Sequence, residues 1–126
     1  MRNLSLLFLV LLVMTACNET PPKKLTKDEI LKEGSILFAK YSCTICHSLK
    51  GKIIYGPSLN NIYLKEVKVT RNGKELTMIV DREYLKRAIT DPRAEKVLEY
   101  QNKEMPVPIF SKEEADILVE YLISLN

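Results

Sequence analysis

Two segments of the chain, 26–41 and 111–125, carry apolar residues every three or four positions, with polar residues between them. This spacing places the apolar side chains on one face of an α-helix, where they face a core. Each segment opens on a capping-box pattern, which predicts helix starts at Thr26 and Ser111. The first helix is expected to run to about Lys40. The apolar positions are Ile30, Gly34, Leu37, Phe38 and Tyr41 in the first, and Ala115, Leu118, Tyr121, Leu122 and Leu125 in the last.

Between these helices the pattern predicts one short helix and one β-hairpin. Asp81 is expected to cap the short helix and Pro92 to end it, because proline lacks the backbone donor. Residues 66–80 carry β-branched side chains on both sides of Asn72-Gly73, the strongest short-range signal for a hairpin. An isolated hairpin is only marginally stable, so it must lean on the helices. The expected fold is all-α, with three or more helices and a small β-hairpin insertion.

Length and composition indicate one folded domain. With 126 residues the chain has room for a single core, and its 46% hydrophobic and 28% charged residues are ordinary for a globular protein. The net charge is +3, and no Lys/Arg-rich block with interleaved aromatic residues occurs. The sequence therefore lacks the electrostatic signature of a nucleic-acid-binding protein.

The first sixteen residues predict an export signal. Arg2 is followed by eleven mostly apolar residues at 4–14, which at 1.5 Å each cover about half of a membrane core and do not span it. The residues before Cys17 resemble a bacterial lipobox, with Met14 where leucine is usual. This resemblance implies cleavage before Cys17 and a diacylglycerol on its sulfur; the alternative is an ordinary secretory signal with a chance cysteine. Both place the protein outside the cytoplasm, on the periplasmic side or at the cell surface.

Residues 17–25 predict a short tether between that lipid and a domain at 26–126. The segment is polar and contains Pro21-Pro22, and its last eight residues reach at most about 26 Å when extended. A lipid-anchored domain would therefore lie close to its membrane, which argues against long-range shuttling.

The sequence CTICH at 43–47 carries the chemistry. Two residues between Cys43 and Cys46 bring both thiols to one side of a helical turn, and His47 follows at once, as covalent haem attachment requires. A thioredoxin-like redox pair would need a preceding strand, and a zinc site would need a second pair of ligands. His47 is the only histidine, and Cys17 is the only other cysteine. The motif therefore predicts one haem c, attached through Cys43 and Cys46, with His47 as an axial ligand and no disulfide.

The single histidine excludes bis-histidine ligation within the chain, so a methionine is expected at the sixth iron position. The candidates are Met78 in the predicted hairpin and Met105 in an irregular segment. Met105 is favoured because irregular backbone can fold over a cofactor and Pro106 fixes the chain after it, whereas a methionine in a strand is more often a packing residue. The alternatives are a Met105 that packs in the core and an open, five-coordinate iron.

Several short motifs together resemble class I cytochrome c. They are CTICH at 43–47, GPSL at 56–59, Met105-Pro106, Gly34, Phe38 and Tyr121. Residues 84–122 most resemble the cytochrome c domain fused to subunit II of some bacterial haem-copper oxidases. The chain has no histidines and cysteines to spare for the two-copper site of that subunit, so the resemblance is to the cytochrome module alone, here as a free-standing lipoprotein.

The resemblance also implies two contacts. In the first, the far nitrogen of His47 donates to the Pro57 carbonyl and orients the imidazole. In the second, Gly34 lets the first helix approach Tyr121 of the last. Tyr55 and Tyr63 are candidates for contacts with haem propionates, with packing as the alternative. Four lysines are candidates for steering acidic partners, with plain solvated surface as the favoured alternative: Lys50, Lys52, Lys65 and Lys103.

The expected function is electron transfer rather than catalysis, to or from a membrane respiratory complex such as a terminal oxidase or a quinol-oxidising complex. Two alternatives remain at this point. One is a cytochrome subunit of a periplasmic dehydrogenase, and the other is a haem protein that binds a small ligand at an open sixth position.

Overall fold

The computed structural model describes residues 24–126. The signal at 1–16, the lipid site Cys17 and most of the tether at 17–25 lie outside the described residues. In chain order the elements are α1 (Lys27–Lys40), α2 (Cys43–Cys46), β1 (Glu66–Arg71), β2 (Lys74–Ile79), α3 (Arg82–Thr90), β3 (Lys96–Val97), a 3-10 turn (Leu98–Tyr100) and α4 (Lys112–Ser124). Within this part of the chain, no helix has the length and apolar character needed to cross a membrane.

The predicted capping residues start the three longer helices. Thr26 Oγ1 accepts a hydrogen bond from the Glu29 backbone at 3.3 Å, and Glu29 accepts one from the Thr26 backbone at 2.8 Å. Ser111 makes the same reciprocal pair with its own glutamate three residues later. Asp81 accepts a hydrogen bond from the α3 backbone at 2.7 Å. These bonds satisfy backbone donors that have no partner within a helix, so the predicted starts are confirmed.

The predicted hairpin is present and belongs to a slightly larger sheet. β1 pairs with β2 in antiparallel register around a turn in which Asn72 and Gly73 have φ of 50° and 73°. Positive φ at both central residues is the requirement of the hairpin turn that Asn-Gly favours. The short strand β3 pairs with the other edge of β1, with Val69 opposite Val97, so the strand order is β2-β1-β3. The sequence did not predict this third strand.

The first and last long helices meet at Gly34. A Cβ atom at this position would lie 2.3 Å from Tyr121 Cβ, so only glycine permits the approach. The ring of Phe38, one turn further along α1, lies 6.0 Å from the Tyr121 ring. The core around this crossing consists of Phe38, Val69, Val80, Tyr84, Leu85, Leu118, Val119, Tyr121 and Leu122.

α3 packs against α4 in the opposite direction. Arg82 pairs with Glu120, and Lys86 Nζ lies 2.6 Å from Asp116 Oδ1, so the partner number falls as the first number rises. Such partly exposed pairs contribute at most about 1 kcal/mol each, and the helices are held mainly by their buried apolar faces. α1 and α3 thus both pack on α4, and these three helices are referred to below as the helical frame. The loops and the small sheet pack against this frame.

Candidate cofactor site

A cavity of about 410 Å³ lies between α2, α3 and α4 and the irregular segments at 55–59 and 104–110. Its wall is formed mainly by apolar side chains, among them Leu59, Ile89 and Phe110. The predicted site residues, which come from separate parts of the sequence, all line this one cavity. They are Cys43, Cys46, His47, Pro57 and Met105.

The two thiols stand on a single helical turn. α2 begins after Ser42, whose φ of 58° is unusual for a residue other than glycine and reverses the chain after α1. Cys43 and Cys46 are half-buried free thiols, and burial raises the pKa of the Cys43 thiol. The His47 backbone N–H donates to the Cys43 carbonyl at 2.8 Å, which closes the turn and directs the chain out of it. Both sulfurs and the imidazole are therefore presented to the same cavity.

The ring of His47 is positioned by two consecutive residues, Gly56 and Pro57. Its Nδ1 lies 2.9 Å from the Pro57 carbonyl oxygen, the contact that the resemblance implied. A carbonyl only accepts hydrogen bonds, so Nδ1 carries the proton and Nε2 keeps a lone pair for a metal. Gly56 lies against the same edge of the ring, where a Cβ would lie 2.7 Å from His47 Cε1 and 3.0 Å from Nδ1. Gly56 is held by a 2.8 Å hydrogen bond from its N–H to the Cys46 carbonyl, so glycine at this position makes room for the ring.

The two candidate methionines lie in different places. Met105 is half-buried in the wall of the cavity. Met78 lies on β2, paired with Val67, and packs against the hydrophobic core rather than in the cavity wall. The described part of the chain thus brings Met105, and not Met78, to the same cavity as His47.

The loop before Met105 is tied to its surroundings by two lysines. Lys103 Nζ donates to the Tyr55 carbonyl at 2.6 Å, and Lys96 forms an ion pair with Glu104. Lys103 is thus turned toward the protein. The other lysines considered for partner steering, Lys50, Lys52 and Lys65, are exposed.

The two tyrosines considered for contacts with haem propionates lie in different places relative to the cavity. Tyr55 lines the cavity. Tyr63 is not part of its wall, and its backbone instead pairs with the Asn126 side chain through hydrogen bonds of 3.2 and 3.1 Å.

Sequence reasoning missed Glu95, which lies in the cavity wall with only 6% of its side chain exposed. Its Oε1 accepts hydrogen bonds from Arg71 and from Arg87, the latter at 3.0 Å. Its Oε2 is buried and has no hydrogen-bond partner among residues 24–126. The two guanidinium groups compensate the buried carboxylate, which would otherwise be costly to bury. Burial and the nearby Glu95 charge also raise the pKa of Tyr84.

These residues fit a haem c. Two thiols and an imidazole lie at the wall of one apolar cavity, a glycine leaves space for the imidazole ring, and a thioether sulfur is available from a separate loop. The donor set of sulfur and nitrogen suits iron in a porphyrin. A helical frame with this site defines a c-type cytochrome of the class I fold.

Comparisons with known proteins agree with this class. The family model described as Cytochrome c matches residues 31–126, and the chain belongs to this family. The fold is similar to that of cytochrome cH from Methylobacterium extorquens, with a TM-score of 0.54 and 24% identity, covering 74% of this chain and 96% of that chain. Comparison with curated proteins gives no match.

Family membership establishes the broad expectations drawn from the sequence. The fold is that of class I cytochrome c, here with four helices and a small three-stranded sheet. Members of the family bind a covalently attached haem c and are electron carriers rather than enzymes. The chain is therefore an electron-transfer protein that uses a c-type haem.

Proposed function

We propose that this protein transfers single electrons through one haem c attached at Cys43 and Cys46, with His47 and Met105 as the two axial ligands. The observation that carries the proposal is the shared cavity, because Met105 lies in its wall with His47 whereas Met78 packs elsewhere. Bound haem supplies an iron that changes by one electron. Ligation by methionine and histidine raises its reduction potential relative to ligation by two imidazoles.

The protein's own residues hold the His47 ring in position and keep water away from the haem site. Pro57 and Gly56 fix the His47 ring, so the imidazole does not have to turn when the charge at the site changes. The apolar wall, formed by residues such as Leu59 and Ile89, keeps solvent from rearranging around the site. Both features keep the atomic movement that accompanies an electron small.

The axial ligation is tested with two methionine variants. In the ferric holoprotein, a methionine bound to iron gives a charge-transfer band. We expect Met105→Ala to lose this band and Met78→Ala, the matched control, to keep it. A band that survives in Met105→Ala, or that is absent from the wild type, would contradict the proposal. Absence from the wild type together with carbon monoxide binding would favour the small-ligand haem protein instead.

We further propose that the protein is exported, anchored through lipid on Cys17, and exchanges electrons with a membrane respiratory complex such as a terminal oxidase or a quinol-oxidising complex. The short tether supports a partner in or on the same membrane. A contact surface is also available, since Ile45 and Tyr55 line the cavity yet are 70% and 45% exposed. An exposed apolar rim at a cofactor opening lets a redox partner approach closely.

The anchor is tested by replacing Cys17. We expect the wild type in the membrane fraction and Cys17→Ser in the soluble periplasmic or extracellular fraction, with haem content unchanged. Retention of Cys17→Ser on membranes would contradict the lipid anchor. Affinity purification of the wild type from solubilised membranes then separates the partners, because recovery with a dehydrogenase rather than an oxidase or quinol-oxidising complex would contradict the respiratory assignment.

A further inference from the structure

The side chain of Lys103 joins two loops that line the cavity. Its Nζ donates a hydrogen bond to the Tyr55 carbonyl at 2.6 Å. The same ammonium group lies 4.8 Å from the centre of the Tyr55 ring and 5.3 Å from that of Tyr100. Lys103 is two residues before Met105, and Tyr55 directly precedes Gly56. One side chain therefore connects the loop of the proposed sixth ligand to the loop that orients the fifth.

The Tyr55 end of this connection is rigid. The next residue, Gly56, donates its N–H to the Cys46 carbonyl at 2.8 Å, and the Pro57 carbonyl lies 2.9 Å from His47 Nδ1. The Tyr55 carbonyl is therefore a fixed acceptor, positioned by the haem-attachment motif itself.

The Met105 end has few other restraints. Residues 104–110 belong to no helix or strand, and no backbone–backbone hydrogen bond within the described chain involves them. The Tyr41 hydroxyl reaches the Ile109 carbonyl only at 3.4 Å, and Lys96 pairs with Glu104 at the start of the segment. A segment with so few bonds opens easily, so a single strong contact has a large effect on how long it stays closed.

We propose that Lys103 is a positioning residue that braces the Met105 loop across the cavity rim and so holds Met105 in place as the sixth ligand. The inference rests on the proposed His47 and Met105 ligation. A hydrogen bond from a charged donor is stronger than a neutral one, and the two aromatic rings add cation–π attraction. Loss of the brace would leave Met105 off the iron for a larger fraction of the time.

A free lysine that only steers a redox partner would differ from this one. Such a side chain would be solvated, and its removal would change the salt dependence of partner binding while leaving iron ligation unchanged. The ammonium of Lys103 is instead engaged by a carbonyl and two rings, and its side chain is half-buried.

The test measures how readily imidazole displaces Met105 from the ferric holoprotein, followed by loss of the methionine-to-iron charge-transfer band. The apparent affinity of an added ligand is proportional to the fraction of molecules with an open site. We expect Lys103→Met to bind imidazole about tenfold more tightly, as expected for loss of one charge-assisted hydrogen bond. Lys103→Arg, which keeps the charge and the donors, should restore most of the wild-type affinity.

Lys52→Met is the matched control. It makes the same change of charge on the neighbouring loop, at an exposed lysine with no hydrogen bond or ion pair to any side chain or backbone group within residues 24–126. Tyr55→Leu provides a second variant that keeps the carbonyl and removes one ring, with an expected increase in imidazole affinity of about threefold. It serves as the test if Lys103→Met does not yield folded holoprotein.

Equal imidazole affinity in Lys103→Met and Lys52→Met, in a background where the wild type shows the band, would overturn the brace alone. A wild type without the band would overturn the His47 and Met105 ligation. In that case amide hydrogen exchange at residues 101 and 103, whose N–H groups donate to the Leu98 and Tyr100 carbonyls, still decides the brace, because exchange there should be about tenfold faster in Lys103→Met. Equal exchange in the two variants would overturn it.

Discussion

Position 34 carries a glycine because Tyr121 of the last helix occupies the space that a side chain would need. Alanine would be the better helix residue by about 1 kcal/mol, so propensity alone predicts that Gly34→Ala stabilises the protein. Its Cβ, however, would lie 2.3 Å from Tyr121 Cβ. We expect this overlap to dominate and to lower the free energy of unfolding of the holoprotein by about 1–3 kcal/mol. Denaturant titration measures it, with Ser35→Ala on the exposed side of α1 as the control. A variant as stable as the wild type would show that the helices separate freely.

The buried carboxylate of Glu95 holds two arginines from different elements, Arg71 of β1 and Arg87 of α3. Glu95→Gln would leave both guanidinium groups without their anion. Because the arginines are partly exposed, we expect a loss of about 1–3 kcal/mol rather than the larger cost of breaking a fully buried pair. Thermal unfolding of the holoprotein measures this loss, and Glu99→Gln, an exposed neighbour, is the control. Equal melting temperatures for the two variants would contradict a structural role for the cluster.

No pattern in the sequence distinguishes Glu95 from surface residues. A single glutamate in a polar segment is normally exposed, and its partners lie 24 and 8 residues away along the chain. Cys43, Cys46 and His47, in contrast, could be predicted as haem-attachment residues because that chemistry depends on local spacing alone. The choice of Met105 over Met78 rested on an irregular backbone, which is also visible locally. Glu95 acts through long-range contacts, and no local spacing predicts them.

At the scale of elements, Glu114 links α1 to the start of α4. Its carboxylate accepts hydrogen bonds from Lys40 at 2.6 Å, from Tyr41 at 2.8 Å and from the Ser111 backbone at 2.9 Å. The Lys40 ammonium, followed by the Ser111 N–H and the Tyr41 hydroxyl, lowers the pKa of Glu114 from 4.5 to about 2. A carboxylate with a lowered pKa in the folded state stabilises the fold above its unfolded pKa, and this contribution disappears as the pH falls through the folded value.

The expected result is a pH-dependent difference between the wild type and Glu114→Gln. The wild type should have the higher melting temperature at pH 6, and the difference should close as the pH falls from 4.5 to about 2, the ordinary and the folded pKa of this group. Circular dichroism melts at several pH values measure it. Glu113→Gln, with the same charge change one residue earlier, is the matched control. A difference that is constant over this range would contradict the linkage.

The elements that could be predicted are those with local signals. The starts of α1, α3 and α4 follow from side chains that cap the backbone within three residues, and the hairpin follows from Asn72-Gly73. β3 has only two residues, too few for an alternating pattern, and it exists because Val97 lies opposite Val69 in the folded chain. The backbone of Ser42, before α2, is in the left-handed region, which serine does not favour, so the sequence does not predict this conformation either.

At the scale of the whole molecule, helices and loops together line one large apolar cavity. Protein interiors are normally packed as densely as organic crystals, with few voids larger than a water molecule. Without a bound group, a cavity of about 410 Å³ would leave its lining residues short of packing contacts. The segments at 43–59 and 92–110, which supply much of this lining, are therefore expected to depend on the group that occupies it. The attachment motif is then a folding determinant as well as a redox site.

This dependence predicts that the protein without haem is largely unfolded. The double variant Cys43→Ser/Cys46→Ser, produced with a c-type maturation system, should show no haem stain on a denaturing gel. After acid–butanone extraction of any haem bound without a covalent link, its far-ultraviolet circular dichroism should lose most of the helical signal of the wild-type holoprotein. Cys17→Ser, which leaves the motif intact, should keep both the stain and the signal. A haem-free double variant with native helicity and cooperative unfolding would show that the α1, α3 and α4 frame is stable by itself, and that haem only occupies a site already formed.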